Sequence, residues 1–257
     1  MLNINIIRSQ IYLYSILPAL VEFINADLES RAMIAALDLC LCIKIMGQPA
    51  VAIEMRHGNA IFHPNFCGRS KINLLFITPR HLCAFFDGNN FKPPLVTSGC
   101  WRINCMRIFS QLTNKLSMIL QGSPAATPMY TRLAFLVAGL SLSSLANFDP
   151  VSRNILNQIP HRVAEFVIDD ADIQPIWFSS KNDVYQVGRG HSICVPDVTI
   201  RFADMKIANL ALCSQIDTMA AIGARKIIIE GYVPLAERLG IVMERFDFFM
   251  KPGLVKS

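Results

Sequence analysis

The chain has 257 residues, of which 53% are hydrophobic and 17% are charged, against roughly 25% charged in an average soluble domain. This length suits one large domain or two of about 100–150 residues each, and the composition excludes a disordered chain. The net charge is +5, but the Lys and Arg residues are scattered. The sequence therefore lacks the basic stripe that nucleic-acid binding usually needs, and we expect no nucleic-acid partner.

The first half begins with a region, residues 11 to 46, that is interpreted as mainly helix and ends at Gly47. Three strands are then predicted, in "AVAIEM", "AIFHP" and "KINLLFI", with a turn at Gly58 between the first two. "TPRHLCAFFDG" predicts a helix with Thr78 as its N-cap and Pro79 in its first turn. "CWRINCM" is interpreted as a strand and "RIFSQLTNKLSMIL" as a helix.

The second half follows a break at Gly122, Ser123 and Pro124. A helical region is predicted from Tyr130 to Ile159, with a new start at Asp149-Pro150. Strands are predicted in "RVAEFVID", "IQPIWFSS", "DVYQVGRG" and "SICVPDVTIRF". Asp204 is the predicted cap of the helix "MKIANLALCS", and the strand "RKIIIEG" and the helix "VPLAERLGIVMERF" complete the pattern.

Apolar segments and cysteines bear on the cellular compartment. The N-terminal segment lacks a signal-peptide pattern, and both it and "LAFLVAGLSLSSL" at 133–145 are too short or too interrupted for a membrane span, so we interpret them as buried helices. The eight cysteines contain no C-x-x-C pair and lie mostly among apolar residues. This usage is typical of reduced thiols and predicts a cytoplasmic protein.

The two halves repeat the same order of elements. Ile72 of "INLLF" aligns with Val198 of "VTIRF", and the two helix starts that follow then align as well. In this alignment "CWRIN" falls close to "RKIII". Residue identity between the halves is poor, so chance agreement of the pattern is the alternative. If the repeat is real, it predicts an α+β unit at 1–122 and a second at 123–257.

The segment "PDVTIRFADMKIANLALCSQIDTMAAIGARKIIIEGYVPLAERL", within residues 196–240, resembles the sterol carrier protein type-2 family. The matching positions are Pro196-Asp197, Asp204, Asp217, Met219 to Ala221, Gly223, Ile227 to Ile229, Gly231 and Leu235. The chain departs from the family pattern in its double length and at Tyr232, which takes a place often held by an acidic residue. For the first half, the resemblance depends on the repeat, so 1–122 is expected to be a degenerate unit.

The resemblance implies an α+β fold with a mostly antiparallel five-stranded sheet and helices on one face, in two such units. It also implies a tunnel between sheet and helices that holds a fatty acyl, sterol or isoprenoid-like molecule. No catalytic residues transfer with the family pattern, because its shared residues serve packing.

Motifs for chemistry are weak in this sequence. The five histidines form no H-x-x-x-H or H-E-x-x-H pair, and G-x-S-x-G is absent, so neither a metal site nor a hydrolase nucleophile is indicated. "GRGHS" at 188–192 lacks the third glycine of a phosphate cradle and is interpreted as a turn. Asp169, Asp170 and Asp172 are interpreted as a solvated hairpin tip. We expect no catalytic residue, no metal and no cofactor.

The apolar helix faces of the second half are the more informative feature, and they either fill a core or line a cavity. The predicted cavity-lining residues are Phe202, Met205, Leu210, Met219, Ile222, Leu235, Leu239 and Met243. The basic residues considered for the rim are Arg201, Lys206, Arg225 and Lys226.

The preferred function is non-enzymatic binding or carriage of a lipid or another hydrophobic ligand, with transient membrane contact and a homodimer left open. The alternative is a structural or interaction protein that uses the same fold for dimerisation or as an accessory module of a lipid-related pathway. A third interpretation is an enzyme acting on a lipid, for which His191 with Asp197 or His161 is the first pair to check.

Overall fold

A computed structural model describes residues 4–88, 93–99, 103–121, 127–159, 161–169, 172–181 and 184–250. The chain forms two compact units that divide between Gln121 and Gly122. Residues 3–121 are called the N-terminal unit below, and residues 122–257 the C-terminal unit.

The N-terminal unit places its first helices before the strands and its longest helix after them. Its helices are α1 (Ile4–Ile11), α2 (Leu17–Ala26), α3 (Leu28–Ile34), α4 (Pro79–Phe86) and α5 (Ile103–Gln121), with a π-helical turn at Tyr12–Ile16 between α1 and α2. Its strands are β1 (Asp38–Ile45), β2 (Val51–Arg56), β3 (Asn59–His63), β4 (Ile72–Phe76) and β5 (Leu95–Ser98).

The C-terminal unit repeats this order. Its helices are α6 (Pro128–Phe148), α7 (Pro150–Leu156), α8 (Met205–Leu212), α9 (Thr218–Gly223) and α10 (Val233–Met250). Its strands are β6 (Arg162–Ile168), β7 (Ile176–Lys181), β8 (Val184–Arg189), β9 (Val198–Phe202) and β10 (Ile227–Gly231).

Each unit contains one five-stranded sheet, and the two sheets have the same topology. The strand orders are β3-β2-β1-β4-β5 and β10-β9-β6-β7-β8, so the first strand of each unit lies at the centre of its sheet. The pairs β1–β4 and β6–β9 are parallel, and the other described pairs are antiparallel. The predicted fold class, α+β with mostly antiparallel five-stranded sheets in two units, is confirmed.

The duplication extends to the register of the central parallel pair. The pairing runs from Leu41 with Ile72 to Ile45 with Phe76 in the N-terminal unit. It runs from Ala164 with Val198 to Ile168 with Phe202 in the C-terminal unit. The alignment of "INLLF" on "VTIRF" is therefore confirmed residue by residue, since a slip of one residue would turn every side chain to the other face.

The same helix cap precedes the first strand of each unit. Asp27 accepts hydrogen bonds from the backbone N–H and the hydroxyl of Ser30, at 2.9 and 2.6 Å. Asp149 accepts the equivalent bonds from Ser152, at 3.1 and 2.7 Å. Each cap satisfies backbone groups that the first turn of a helix leaves without partners, so both short helices begin at a fixed residue.

An asparagine two residues before each cap ties the preceding helix, α2 or α6, to the third strand of its unit. The Asn25 side-chain amide donates to the Ala60 carbonyl at 2.9 Å, and the Asn147 amide donates to the Tyr185 carbonyl at 3.0 Å. Helix, cap and sheet are thus joined by the same polar contacts in both halves.

Two predicted elements are wrong. Residues 38–45 form the strand β1 and not the end of a helix, so Cys40 and Cys42 share one face of a strand instead of pointing apart. Residues 103–106 begin the helix α5, and the counterpart of β10 is β5, not "CWRIN". Both segments are mostly apolar, so their patterns fit a helix as well as a strand, and the elements packed around them decide the outcome.

Two helical stretches bear on the expectation that the apolar segments are too short or too interrupted to span a membrane: α1 to α2 with the π-helical turn between them, and α6. Among the described residues, Ile4–Ala26 and Pro128–Phe148 are long and apolar enough to cross a membrane, and more than half of each lies buried inside the protein. Length and composition alone do not separate a spanning helix from the core helix of a compact unit.

Candidate functional site

Helix α6 supplies the first wall of the candidate site. Thr127 caps it by accepting the Tyr130 N–H at 3.2 Å, and Pro128 lies in its first turn. The helix is buried on several sides, because it packs against β7 and β8 of the sheet and against α7, α8 and α10. A helix packed in this way needs small residues wherever its backbone comes close to the sheet.

Gly139 is the point where α6 comes closest to the sheet. A Cβ atom at this position would lie 2.7 Å from both the Cδ1 and the Cγ2 atoms of Ile176 on β7. Any side chain here would push the helix away from the strand or displace Ile176. The glycine therefore sets the gap between helix and sheet, and with it the shape of the neighbouring space.

A small apolar cavity lies between α6, the sheet and the two helices α8 and α10. Its volume is about 20 Å³, which is close to the size of one water molecule. Of the described residues, those that line it are Phe135, Ala138, Gly139, Leu142, Phe166, Ile176, Phe202, Leu212 and Met243. All nine are apolar, so the space favours a hydrocarbon group over water.

A second pocket of about 10 Å³ adjoins this cavity and carries charge. It shares Phe135 and Ile176 with the apolar cavity, and Arg132, Gln174 and Arg189 lie along its rim. An apolar space thus continues into a basic one, which is the arrangement that suits an amphipathic molecule.

A polar contact joins the two helices at one edge of the cavity. The Tyr130 hydroxyl on α6 lies 3.3 Å from the Cys213 sulfur, next to Leu212. Burial and the contact with Cys213 raise the pKa of Tyr130 to about 12, so its hydroxyl is neutral at physiological pH. The contact therefore holds α8 against α6 without placing a charge in the wall.

The predicted cavity residues fall into three groups in the structure. Phe202 and Met243 line the cavity. Leu235 and Leu239 are buried in the core of the unit, and Met219 is 78% exposed. Met205, Leu210 and Ile222 are partly exposed and are not among the described lining residues.

Several lining residues were missed because they come from α6 and from strands other than β9. Phe135 and Leu142 belong to the segment that the sequence marked as a buried helix, but nothing in its pattern singles out the cavity side. Gly139 was the one available signal, because a glycine inside an apolar helix often marks a close approach.

The basic residues proposed for the rim lie elsewhere. Arg201 alternates with the cavity residue Phe202 on β9, so its side chain is on the opposite face of the sheet. There it binds Glu230 at 3.1 Å and Asp169 at 3.0 Å. Lys206, Arg225 and Lys226 are exposed. Arg132 and Arg189 take the place beside the cavity that was assigned to these four.

The proposed pair of His191 with Asp197 or His161 does not form. His191 Nδ1 lies 3.2 Å from Glu165 Oε1, and Asp197 binds Arg162 at 2.7 Å. His161 precedes β6 with a positive φ of 58°, and no bond between it and His191 is present among the described residues.

The "GRGHS" segment has a packing role at its first glycine. A Cβ atom on Gly188 would lie 2.2 Å from the indole of Trp177, so the ring covers the glycine. Within the described ranges, no three His, Cys, Asp or Glu side chains come together as metal ligands. Asp170 lies outside the described residues, and Asp169 is paired with Arg201.

Comparison with known proteins gives similarities of fold. No family model and no curated protein matches the chain. A sterol carrier protein domain 2 of Helicoverpa armigera is similar at a TM-score of 0.36 and 16% identity, over 48% of this chain and 92% of that one. A ubiquinone synthesis protein, UbiJ-SCP2, is similar at a TM-score of 0.34 and 12% identity, over 44% of this chain and 88% of that one.

A sec-alkylsulfatase from Pseudomonas sp. is also similar, at a TM-score of 0.30 and 19% identity, over 39% of this chain. This chain covers 15% of that structure and 14% of a double mutant of the same sulfatase. Sterol carrier protein domains are thus among the solved structures to which the chain is similar at these low scores.

Proposed function

We propose that the C-terminal unit binds the apolar part of a lipid or another hydrophobic ligand between α6 and the sheet, and carries it without chemical change. The observation that carries this proposal is the apolar cavity bounded by Gly139 and Ile176. An apolar space that continues toward basic side chains supports this proposal, because a hydrocarbon group fits the first and a polar end group fits the second.

The cavity must widen to admit a ligand. Pockets for small molecules usually measure about 300–1,000 Å³, well above its present volume of about 20 Å³. Leu212 and Met243 form the helical side of the wall, and Met side chains repack readily around varied shapes. We expect the space to widen by movement of α8 and α10 away from α6.

The driving force is burial of hydrocarbon. Roughly 25 cal/mol per Å² over the 300–400 Å² of an acyl chain supplies several kcal/mol, without any polar chemistry. Arg132 and Arg189 line the adjoining pocket, where they meet the polar or anionic end of the molecule. Fatty acyl, sterol and isoprenoid-like molecules are the ligand classes proposed.

The proposal includes a non-enzymatic role and a cytoplasmic location. The polar contact described at the edge of the cavity, between Tyr130 and Cys213, joins two helices and so serves structure. All seven described cysteines are free thiols, which supports a reducing compartment.

The test combines extraction with a variant that fills the cavity. The purified protein is extracted with organic solvent for mass spectrometry, and a fluorescent fatty acid is titrated into the delipidated protein. Leu212→Phe places a larger side chain in the cavity wall and is expected to weaken binding at least tenfold. Ile241→Phe, at an exposed position of α10 outside the described lining, is the matched control and should bind like the wild type.

A protein that yields no lipid on extraction and does not bind the fluorescent fatty acid would contradict the proposal. Equal binding by the wild type and Leu212→Phe would place the ligand elsewhere in the chain.

A further inference from the structure

Helix α6 carries a buried hydroxyl that lacks a hydrogen-bond partner. Within the described residues, three side-chain atoms are buried without a partner: Arg8 Nε, Ser15 Oγ and Thr131 Oγ1. The first two belong to the N-terminal unit, and Thr131 belongs to the unit that contains the apolar cavity. Thr131 is 0% exposed, so bulk water does not reach its side chain.

Other hydroxyls of the same helix have carbonyl partners. Ser141 donates to the Ala138 carbonyl at 2.7 Å, and Ser143 donates to the Tyr185 carbonyl at 3.0 Å. A helical Thr usually bonds a carbonyl three or four residues earlier. The Thr127 carbonyl instead accepts the backbone N–H of Thr131, at 3.2 Å, and not its hydroxyl. A buried hydroxyl without a partner destabilises a fold, so this one calls for an explanation.

Thr131 lies on the face of α6 that borders the cavity. With about 3.6 residues per turn, positions four, seven and eleven residues apart share a helix face. The residues at these distances after Thr131 are Phe135, Ala138 and Leu142, and all three line the cavity. Thr131 is therefore the polar member of an otherwise apolar row.

The hydroxyl stands at the end of this row where the apolar cavity meets the charged pocket. Phe135, one turn after Thr131, lines both spaces. Arg132, the next residue along the chain, lines the charged pocket. A ligand that widens the cavity along α6 toward this pocket reaches the Thr131 hydroxyl at the point where its hydrocarbon part ends.

We propose that Thr131 is a ligand-binding residue, whose hydroxyl donates a hydrogen bond to an acceptor oxygen of the lipid, such as that of a carboxylate or an ester. The inference rests on the proposed function, since it needs the widened cavity. Arg132 carries N–H donors and no acceptor, so both side chains at this end suit an acceptor group. Thr131 thus selects a lipid with an oxygen at its end over a plain hydrocarbon.

Stability and binding distinguish this role from a structural one. Removal of a hydroxyl that supports the fold destabilises the ligand-free protein. Removal of a hydroxyl that only the ligand satisfies has the reverse effect, because a buried polar group without a partner disappears. The same removal weakens the binding of an oxygen-bearing ligand and leaves the binding of a hydrocarbon unchanged.

The test compares Thr131→Val, which keeps the shape of the side chain without the hydroxyl, with Thr131→Ser, which keeps the hydroxyl. The delipidated full-length protein is titrated with two fluorescent probes: cis-parinaric acid, a polyene fatty acid, and diphenylhexatriene, a hydrocarbon. We expect Thr131→Val to bind cis-parinaric acid about five- to tenfold more weakly than the wild type and diphenylhexatriene equally well. Thr131→Ser should keep the wild-type ratio of the two affinities.

Thermal unfolding of the ligand-free protein is the second measurement. Thr131→Val should unfold a few degrees above the wild type, since it removes the buried hydroxyl without a partner. Ser141→Ala is the matched control on the same helix, because the hydroxyl it removes has a carbonyl partner. This control should gain no stability and should bind both probes like the wild type.

Three outcomes would overturn the inference and leave the proposed function in place. One is a Thr131→Val protein that binds cis-parinaric acid as tightly as the wild type, and another is equal weakening of both probes, which would indicate a change of cavity shape. The third is a Thr131→Val protein less stable than the wild type, which would give the hydroxyl a structural partner. A wild type that binds neither probe would contradict the proposed function itself.

Discussion

The two units share one topology but differ in what fills the space next to the central strands. Phe76 on β4 is fully buried in the N-terminal unit, and its ring lies 5.5 Å from that of Phe85 on α4. Phe86 stacks on Tyr12 of the π-helical turn at 5.0 Å. Three aromatic rings from helix and strand thus pack into one cluster with Tyr12.

The C-terminal unit has smaller side chains at the corresponding positions. Two residues separate β4 from α4 and β9 from α8, so Phe85 corresponds to Ala211 and Phe86 to Leu212. Phe202 replaces Phe76 and borders the cavity. One topology therefore supports either a packed core or a cavity, and the sizes of a few side chains decide between them.

A second difference concerns the cap aspartates. Asp149 has a fully buried carboxylate that binds Arg245 of α10, with one bond at 3.0 Å. Asp27 is half-buried, and the corresponding Lys115 of α5 forms an exposed ion pair with Glu29 at 2.8 Å. The capped helix is thus linked to the last helix through its cap by a buried contact in the C-terminal unit, and through Glu29 by a more solvated ion pair in the N-terminal unit.

The largest expected effect is the difference in stability loss between alanine variants of Phe76 and Phe202. Phe76→Ala should destabilise the N-terminal unit by about 3–5 kcal/mol, since it empties a fully packed position. Phe202→Ala should cost the C-terminal unit about 1–2 kcal/mol, because the ring is partly exposed and already borders free space. Hydrogen exchange of peptides from β4 and β9 measures each unit separately. Equal losses would mean that the two positions are packed alike.

The second-largest expected effect is the difference in stability loss between alanine variants of the two cap residues, Asp149 and Asp27. Asp149→Ala should destabilise the C-terminal unit by about 3 kcal/mol, since it leaves Arg245 without its buried partner and α7 without its cap. Asp27→Ala should cost the N-terminal unit about 1 kcal/mol, the usual value of a lost cap. The same exchange experiment reports both, with peptides from α7 and α3. A larger loss in the N-terminal unit would reverse the comparison.

The carboxylates of Asp149 and Asp27 should also make the stability of the folded protein depend on pH in the acid range. Burial alone would raise the pKa of Asp149, but hydrogen bonds from Arg245 and Ser152 outweigh it and hold the pKa below its ordinary value. A carboxylate with a lowered pKa stabilises the folded unit above its unfolded pKa of about 3.9, and this contribution is lost as the pH falls through the folded value. Thermal unfolding followed by circular dichroism should therefore shift to lower temperature below about pH 4.

The control for acid is Asp149→Asn, which cannot titrate and should show a smaller shift over the same pH range. The pKa of Asp27 is also lowered, first by its hydrogen bond with Ser30, so part of the shift should remain in the variant. An unchanged acid response in Asp149→Asn would show that other carboxylates dominate.

The smallest effect is expected at Lys115. Lys115→Ala should change the stability of the N-terminal unit by at most about 1 kcal/mol, since Glu29 is 75% exposed and surface ion pairs contribute little. Chemical denaturation with and without added salt measures it. If Lys115→Ala lost as much stability as Arg245→Ala, the ion pair with Glu29 and the ion pair with Asp149 would stabilise their units equally.

Sequence patterns predicted the parts of the fold that depend on local chemistry. The caps at Thr78 and Asp204 accept the His81 and Ile207 N–H groups, at 3.2 and 2.7 Å, where the sequence placed them. The strand β1 was missed because its residues are apolar on both faces, one packed under helices and the other under the β3–β4 connection. The pairing of His191 with Glu165 was missed because it joins residues from two different elements.

The sequence by itself determined the order of the elements apart from β1 and β5, the duplication of the unit and the apolar character of the C-terminal unit, because these follow from periodicity, caps and composition along the chain. Tertiary structure alone decided which apolar side chains surround a cavity and which are packed solid. A cavity forms where the gap between two packed layers encloses more volume than the side chains between them fill. That gap is set by contacts such as Gly139 on Ile176, between residues far apart in the chain.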